Sequence, residues 1–144
     1  MTGGLPWRTR VAVRSYELDS LGHLNQAVYH QYAEHSRVRR LASLGCSWQG
    51  LIDAGIGLVL MSSRITFHRE LRAGDEADVG CEIIFRPIET FNMDSVITRA
   101  DGVLAARVMC VMALMDLEER KLLPDPQSVL ADRGLDLRQV TVVA

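Results

Sequence analysis

Within seven residues the chain places an acid, an imidazole and a carboxamide, Asp19, His23 and Asn25, in the stretch "VRSYELDSLGHLNQAVYHQYAEHSR" over 13–37. They stand where strand-like alternation gives way to helical spacing. An aspartate beside the first turn of a helix suits acyl transfer, because its carboxylate can act as a base or a nucleophile. The unpaired N–H groups and positive end of the helix can stabilise negative charge developing on a carbonyl oxygen. Each residue also has a plainer reading. Asp19 reads as a turn or capping acid, His23 as a hydrogen-bonded loop residue, and Asn25 as the cap that accepts from the first helical N–H groups. Spacing by itself leaves both readings open.

The elements that must position these residues follow from periodicity. Alternation in "RTRVAVRSYEL" predicts a strand over 8–18, with Val11 and Val13 on one face and Arg10, Ala12 and Arg14 on the other. After "DSLGHL", the spacing of Val28, Tyr32, Ser36, Leu41 and Leu44 predicts one helix of about five turns over 25–44. Gly45 stops it, and 46–57 reads as a short helical turn or loop. Four strands come next: Val59, Met61, Ile65 and Phe67 share a face in the first, Ala77, Val79, Cys81, Ile83 and Phe85 in the second, and Phe91, Met93 and Ile97 in the third.

The fourth strand, 103–117, is apolar on both parities, which fits burial on both faces or contact with a partner subunit. "ADGV" predicts a hairpin turn leading into it, "RAGDE" and "RPIET" break the earlier pairs, and Pro126 opens a short closing helix. A sheet with one apolar face needs a cover, and one long helix is available. An α+β fold follows, with an antiparallel sheet of about five strands wrapped around that helix.

A chain of 144 residues with 48% hydrophobic and 24% charged residues is expected to form a single soluble domain over 1–144. The net charge of −2 gives no drive toward nucleic acid, and no basic stripe with interleaved aromatics is present. The three cysteines, Cys46, Cys81 and Cys110, lack C-x-x-C or paired-His spacing, so no metal and no disulfide framework is expected; a reducing cytoplasm fits. Cys81 and Cys110 on apolar strand faces read as core thiols with raised pKa. "MTGGLPWRTR" lacks a leader pattern, and "VMCVMALM" is too short to cross a bilayer, so neither export nor membrane insertion is expected. Serine-hydrolase, nucleotide-loop and dinucleotide fingerprints are missing.

"YELDSLGHLNQAVYHQYAEHSR" resembles the signature of hotdog-fold acyl-CoA thioesterases of the 4-hydroxybenzoyl-CoA thioesterase type: aspartate, two residues, Gly-His-x-Asn-Asn, then Tyr, and Glu-x-x-Arg on the helix. It is similar also to acyl-ACP thioesterases. Asp19, Gly22, His23, Asn25, Tyr29, Glu34 and Arg37 meet the pattern. "ITFHRELRAGDEADVGCEI" resembles the family's strand pair around an acidic turn, and "ARVMCVMALMDLEERKLLPDP" its last long strand and tail.

The resemblance implies a hotdog fold and hydrolysis of an acyl-CoA or acyl-ACP thioester without a cofactor. It implies Asp19 as catalytic base or nucleophile, His23 and Asn25 orienting substrate and water, and the N–H of Gln26 at the carbonyl oxygen. Gly22, Tyr29 and Glu34 join the substrate site, and a homodimer or homotetramer is implied as the assembly. Two departures are visible: Gln26 replaces the second asparagine and bears on substrate choice, and Glu17 stands two positions before Asp19.

Other residues read as ordinary. Glu34 and Arg37 form a helix-surface ion pair or line the base of the pocket. Ser62 and Ser63 are sheet packing, His30 and His35 face solvent or an interface, and His68 is an edge-exposed histidine. Arg37, Arg39, Arg40 and Arg72 are candidates for nucleotide phosphates. A non-catalytic acyl-CoA-binding hotdog protein is the main rival, and a dehydratase or hydratase acting on thioesters a second.

Overall fold

Apolar residues on one parity of the strands demand a cover, and the helix that supplies it, α1, runs Gln26–Ser43. The structure is a computed structural model describing residues 6–144; residues 1–5 of the stretch read as leaderless lie outside the described residues. In chain order the elements are β1 (Arg8–Ala12), α1, α2 (Trp48–Asp53), β2 (Ile56–Phe67), β3 (Glu76–Gly80), β4 (Glu82–Phe85), β5 (Thr90–Arg99), β6 (Leu104–Asp116), β7 (Lys121–Leu122), α3 (Pro126–Asp132) and β8 (Thr141–Val142).

Helix α1 begins where Asn25 Oδ1 accepts the N–H of Ala27 at 3.0 Å. It ends at Gly45, whose φ of +94° is open to glycine at little cost. Its inward stripe of Val28, Tyr32, Ala33, Ser36 and Leu41 lies on the sheet. Five principal strands curl round it in the order β1, β3 with β4, β5, β6, β2, and all of these pairings are antiparallel. The expected α+β architecture is therefore present.

The face of the second predicted strand holds: Ala77, Val79, Cys81, Ile83 and Phe85 are all buried. It is divided at Cys81 into β3 and β4, which keep one register on β5. The division falls where Ser36 Oγ from α1 donates to the carbonyls of Val79 and Gly80, at 3.3 and 3.1 Å. Phe91, Met93 and Ile97 are buried as expected, and the turn at Asp101 and Gly102 joins β5 to β6.

Three expectations change. The first strand stops at Ala12, and Ser15–Glu17 winds into a 3-10 turn. The shared face of Val59, Met61, Ile65 and Phe67 is broken, because a bulge between Leu60 and Ser62 inserts one residue and reverses the parity. β6 is buried toward α1, yet Met109 on its other face is 47% exposed, so the strand is not covered on both sides within the chain.

After α3 the chain returns across the C-terminal end of α1. The N–H of Asp136 donates to Leu44 O at 2.9 Å, Arg40 Nη2 donates to Gln139 O at 3.3 Å, and β8 lies parallel to β4. Gly45 and Gly134 meet so closely that a Cβ on Gly45 would lie 2.8 Å from the Gly134 carbonyl oxygen. Among the described residues, no helix is long and apolar enough to cross a membrane.

At the other end of α1, Glu17 fixes the entering loop. Its side chain is 9% exposed. It accepts from Tyr32 Oη at 2.7 Å, the Arg14 N–H at 2.9 Å and Arg14 Nη1 at 3.3 Å. Burial alone would raise its pKa, but the Arg14 N–H, the Tyr32 hydroxyl and the Arg14 charge together hold it below the ordinary 4.5. A carboxyl more acidic folded than unfolded contributes stability that is fully present above the unfolded value. That contribution is lost as pH falls through the folded value. Melting of wild type and Glu17→Gln from about pH 3 to about pH 6 should show the wild-type advantage shrinking below about 4.5. A difference that stays constant with pH would remove Glu17 from this role.

Candidate active site

Between Glu17 and α1 the backbone folds back on itself. Leu18 and Leu24 form an isolated antiparallel bridge, and the Asn25 N–H donates to Glu17 O at 2.9 Å. Inside that closure Asp19 N–H donates to His23 O at 2.7 Å, and Gly22 supplies the left-handed corner with φ +77°. Asp19 Oδ1 accepts the N–H groups of Leu21 at 2.9 Å and His23 at 3.1 Å. Among the described residues, Oδ2 accepts no hydrogen bond. The turn-acid reading of Asp19 describes these two bonds, and Oδ2 takes no part in them.

A cavity of about 340 Å³ opens beside Asp19. Of the residues singled out from sequence, Asp19, His23, Gln26 and Tyr29 line it. Asn25 does not; its side chain caps α1. Gly22 shapes the turn without lining the cavity. The cap has a chemical consequence: Asn25 satisfies the N–H of Ala27, while the N–H of Gln26, first in the helix, has no carbonyl one turn back to bond.

Four lining residues come from the end of β2 and the segment after it: Phe67, His68, Arg69 and Glu70. His68, read as an edge-exposed histidine that could approach the site from a neighbouring subunit, is exposed and borders the cavity within its own chain. Phe67 packs edge to face on Tyr29, with ring centroids 5.2 Å apart. Burial raises the pKa of the Tyr29 phenol; the Leu71 N–H opposes this, while the carboxylates of Glu70 and Asp19 add to it. Glu70 is held below its ordinary value by its own N–H and by Arg72, whose Nη2 lies 3.2 Å from Oε1. The sequence signal for this group is a polar run directly after a strand, but the bonds to Ala105 O and the burial of Leu71 fix where that run goes.

Glu34 is exposed on α1 away from the cavity, and among the described residues it forms no ion pair with Arg37. Arg37 lies instead on the buried stripe, with Nη1 3.3 Å from Cys110 Sγ. Arg40 is buried too, its guanidinium 5.3 Å from the Trp7 ring centroid. Neither suits a nucleotide phosphate; Arg39 and Arg72 remain exposed. Burial pushes the Cys81 thiol up to about 12 against the pull of Arg37 and Arg40, as expected of a core thiol. Ser63 Oγ lies 3.3 Å from His30 Nδ1 and 3.8 Å from Cys110 Sγ, at the edge of the sheet.

Among the described residues, no group of three or more His, Cys, Asp or Glu side chains is arranged to hold a metal ion. A second concavity, of about 390 Å³, lies between Gly55, Asp116 and Arg133 and contains none of the residues above.

The chain is similar to solved thioesterases along most of its length. A 1,4-dihydroxy-2-naphthoyl-CoA thioesterase from Synechocystis is 25% identical with a TM-score of 0.77, over 87% of this chain and 95% of that one. A thioesterase from Thermus thermophilus complexed with coenzyme A and Zn is 30% identical with a TM-score of 0.72, over 90% and 98%. The chloroplastic acyl-acyl carrier protein thioesterase ATL3 of Arabidopsis thaliana is 37% identical over 71 residues, which is 49% of this chain and 37% of that protein. The chain thus spans little more than a third of this curated relative. Residues 13–132 match the thioesterase-like superfamily, a span that runs from the Asp19 turn through the sheet to α3, and the chain belongs to that superfamily.

Proposed function

We propose that the chain hydrolyses an acyl-CoA or acyl-ACP thioester to the free acid and thiol, with Asp19 as the reactive carboxylate. One observation carries this reading. Asp19 Oδ1 is tethered by two N–H groups of its own turn, and Asp19 lines a cavity that Gln26, the first residue of α1, lines as well. A thioester carbonyl seated there would accept from the Gln26 N–H, and the positive end of the helix would stabilise the oxyanion. Asp19 then attacks the acyl carbon or takes a proton from water.

His23 brings an imidazole to the same cavity to orient water or the acyl group, and Tyr29 with Phe67 gives the acyl group an aromatic wall. Asn25 acts through its cap, and Gln26 lines the cavity with its longer side chain. Coenzyme A in the Thermus relative and acyl carrier protein in the Arabidopsis name support a thioester of one of these two carriers.

The reading includes a homodimer, or a homotetramer built from it, joined along β2. Among the described residues this strand of twelve pairs with β6 alone, and Leu60, Met61 and Phe67 on it are 45%, 50% and 52% exposed. A long apolar edge of this kind templates association unless something covers it. A second copy would also close the cavity at Phe67.

Thiol release across short, long and aromatic acyl-CoAs tests the reaction. Asp19→Asn should keep the fold and lower kcat by about 10²- to 10⁴-fold, and undiminished turnover would end the proposal. Tight binding of the same panel without turnover by wild type would favour the non-catalytic acyl-binding reading. For the assembly, light scattering should give at least twice the 16.0 kDa chain mass. Met61→Lys should lower that mass; an active wild-type monomer would remove the interface from the account.

A further inference from the structure

Under α1 the fold buries hydrogen-bond donors without giving them acceptors. Arg37 is 6% exposed, and its Nη1 lies 3.3 Å from Cys110 Sγ. Among the described residues no carboxylate pairs with it. Arg40 is buried with its Nε unpartnered, and Ser95 Oγ on β5 is buried without a partner as well. These groups share one layer. Arg37 and Arg40 both act on the Cys81 thiol, and Ser95 pairs with Val108, which precedes Cys110 on the buried face of β6. A guanidinium taken out of water is costly until an acceptor meets it, and a thiol is a weak acceptor. What the layer lacks is an anionic oxygen.

A line of contacts joins that layer to the cavity beside Asp19. Gln26, which lines the cavity, falls with His30 and Arg37 within about 40° around the axis of α1. Opposite them runs the inner face of β2, where Phe67 lines the cavity and the bulge after Leu60 turns Ser63 inward beside Cys110. His30 Nδ1 lies 3.3 Å from Ser63 Oγ, and Ser63 Oγ lies 3.8 Å from Cys110 Sγ, the atom that Arg37 reaches. The line thus passes from Gln26 and Phe67 through His30 and Ser63 to Arg37. A plain hydrocarbon tail needs no buried cation at its end.

A thioester carbonyl held at the Gln26 N–H would send its acyl group along this line. We infer that the substrate is an ω-carboxyacyl thioester, a dicarboxylic acid joined to its carrier at one end, and that Arg37 is the specificity-determining residue that receives the free carboxylate. The inference rests on the hydrolase reading above and names the acyl group for it. Arg37 follows Gln26 by eleven residues, about 16 Å along the helix. Helical side chains lean back by about one turn, which brings the guanidinium to about 11 Å from the Gln26 N–H. An extended chain advances about 1.2 Å per bond, so an acid of about six to nine carbons spans the interval once the contact at each end is allowed for. Guanidinium and carboxylate then pair with the planar geometry that suits both.

The test compares kcat/KM for pairs of acyl-CoAs of equal length, one ended by a carboxylate and the other by a methyl group, over about six to nine carbons. In wild type the carboxylate-ended member should exceed its partner by at least about tenfold, and Arg37→Met should bring the ratio toward one. Loosened packing alone would lower both members together and leave the ratio unchanged. Where Arg37→Met fails to fold, melting of wild type carries the test: the free dicarboxylate should raise Tm, and the monocarboxylate of equal length should not. Equal stabilisation by both acids marks general anion binding and overturns the inference. A wild-type ratio near or below one, or a preference that survives in Arg37→Met, overturns it too while leaving the hydrolase reading intact. A wild type that cleaves no thioester overturns the hydrolase reading and this inference with it.

Discussion

The buried carboxylate of Glu17 is the contact on which the arrangement of the site depends. A charge taken from water must be met by donors or it destabilises the fold that buries it. Here the donors come from two places: Arg14, before the loop, and Tyr32, in the second turn of α1. The loop cannot shift along the helix without leaving that charge unpaired. Two residues later stands Asp19, and the Asn25 N–H closes the loop back onto the Glu17 carbonyl. The carboxylate, the turn and the helix N-terminus are thereby tied together by backbone bonds rather than by flexible side chains.

Much of this was legible because it is local. The cap at Asn25, the stop at Gly45, the turn at Asp101 and Gly102 and the helix at Pro126 depend on neighbouring residues, and sequence shows neighbours. The faces of β3 to β5 were legible because a period of two survives wherever a strand stays regular. The bulge at Met61 was not, since one inserted residue reverses every face after it and leaves no mark in composition. The break at Cys81 was invisible for another reason: its partner, Ser36, comes from the helix and not from the strand.

The site divides in the same way. Asp19, His23, Gln26 and Tyr29 are close in sequence and could be read together. His68, Arg69 and Glu70 reach the cavity only because Ala105 turns the chain and Leu71 is drawn into the core, both long-range events. Arg37 and Arg40 misled through residue type: arginine suggests a solvated face, yet the spacing of Ala33, Ser36, Arg37 and Arg40 already traced a buried stripe. Glu34, one residue after Ala33, falls off that stripe and onto the solvent side.

Arg40 has a further consequence. It is buried under the returning tail with no carboxylate beside it among the described residues, and loss of water around it lowers its pKa. Undocking the tail from Asp136 onward would return that guanidinium to water, and the hydration regained would offset part of the packing lost. That hydration would lower the cost of releasing the tail below what its packing alone would set. No such reward exists at the N-terminal end of α1, where opening would strip Glu17 of its donors. One helix thus has one end pinned by a buried charge that its neighbours pair, and another pinned by packing over a buried charge that no carboxylate meets among the described residues.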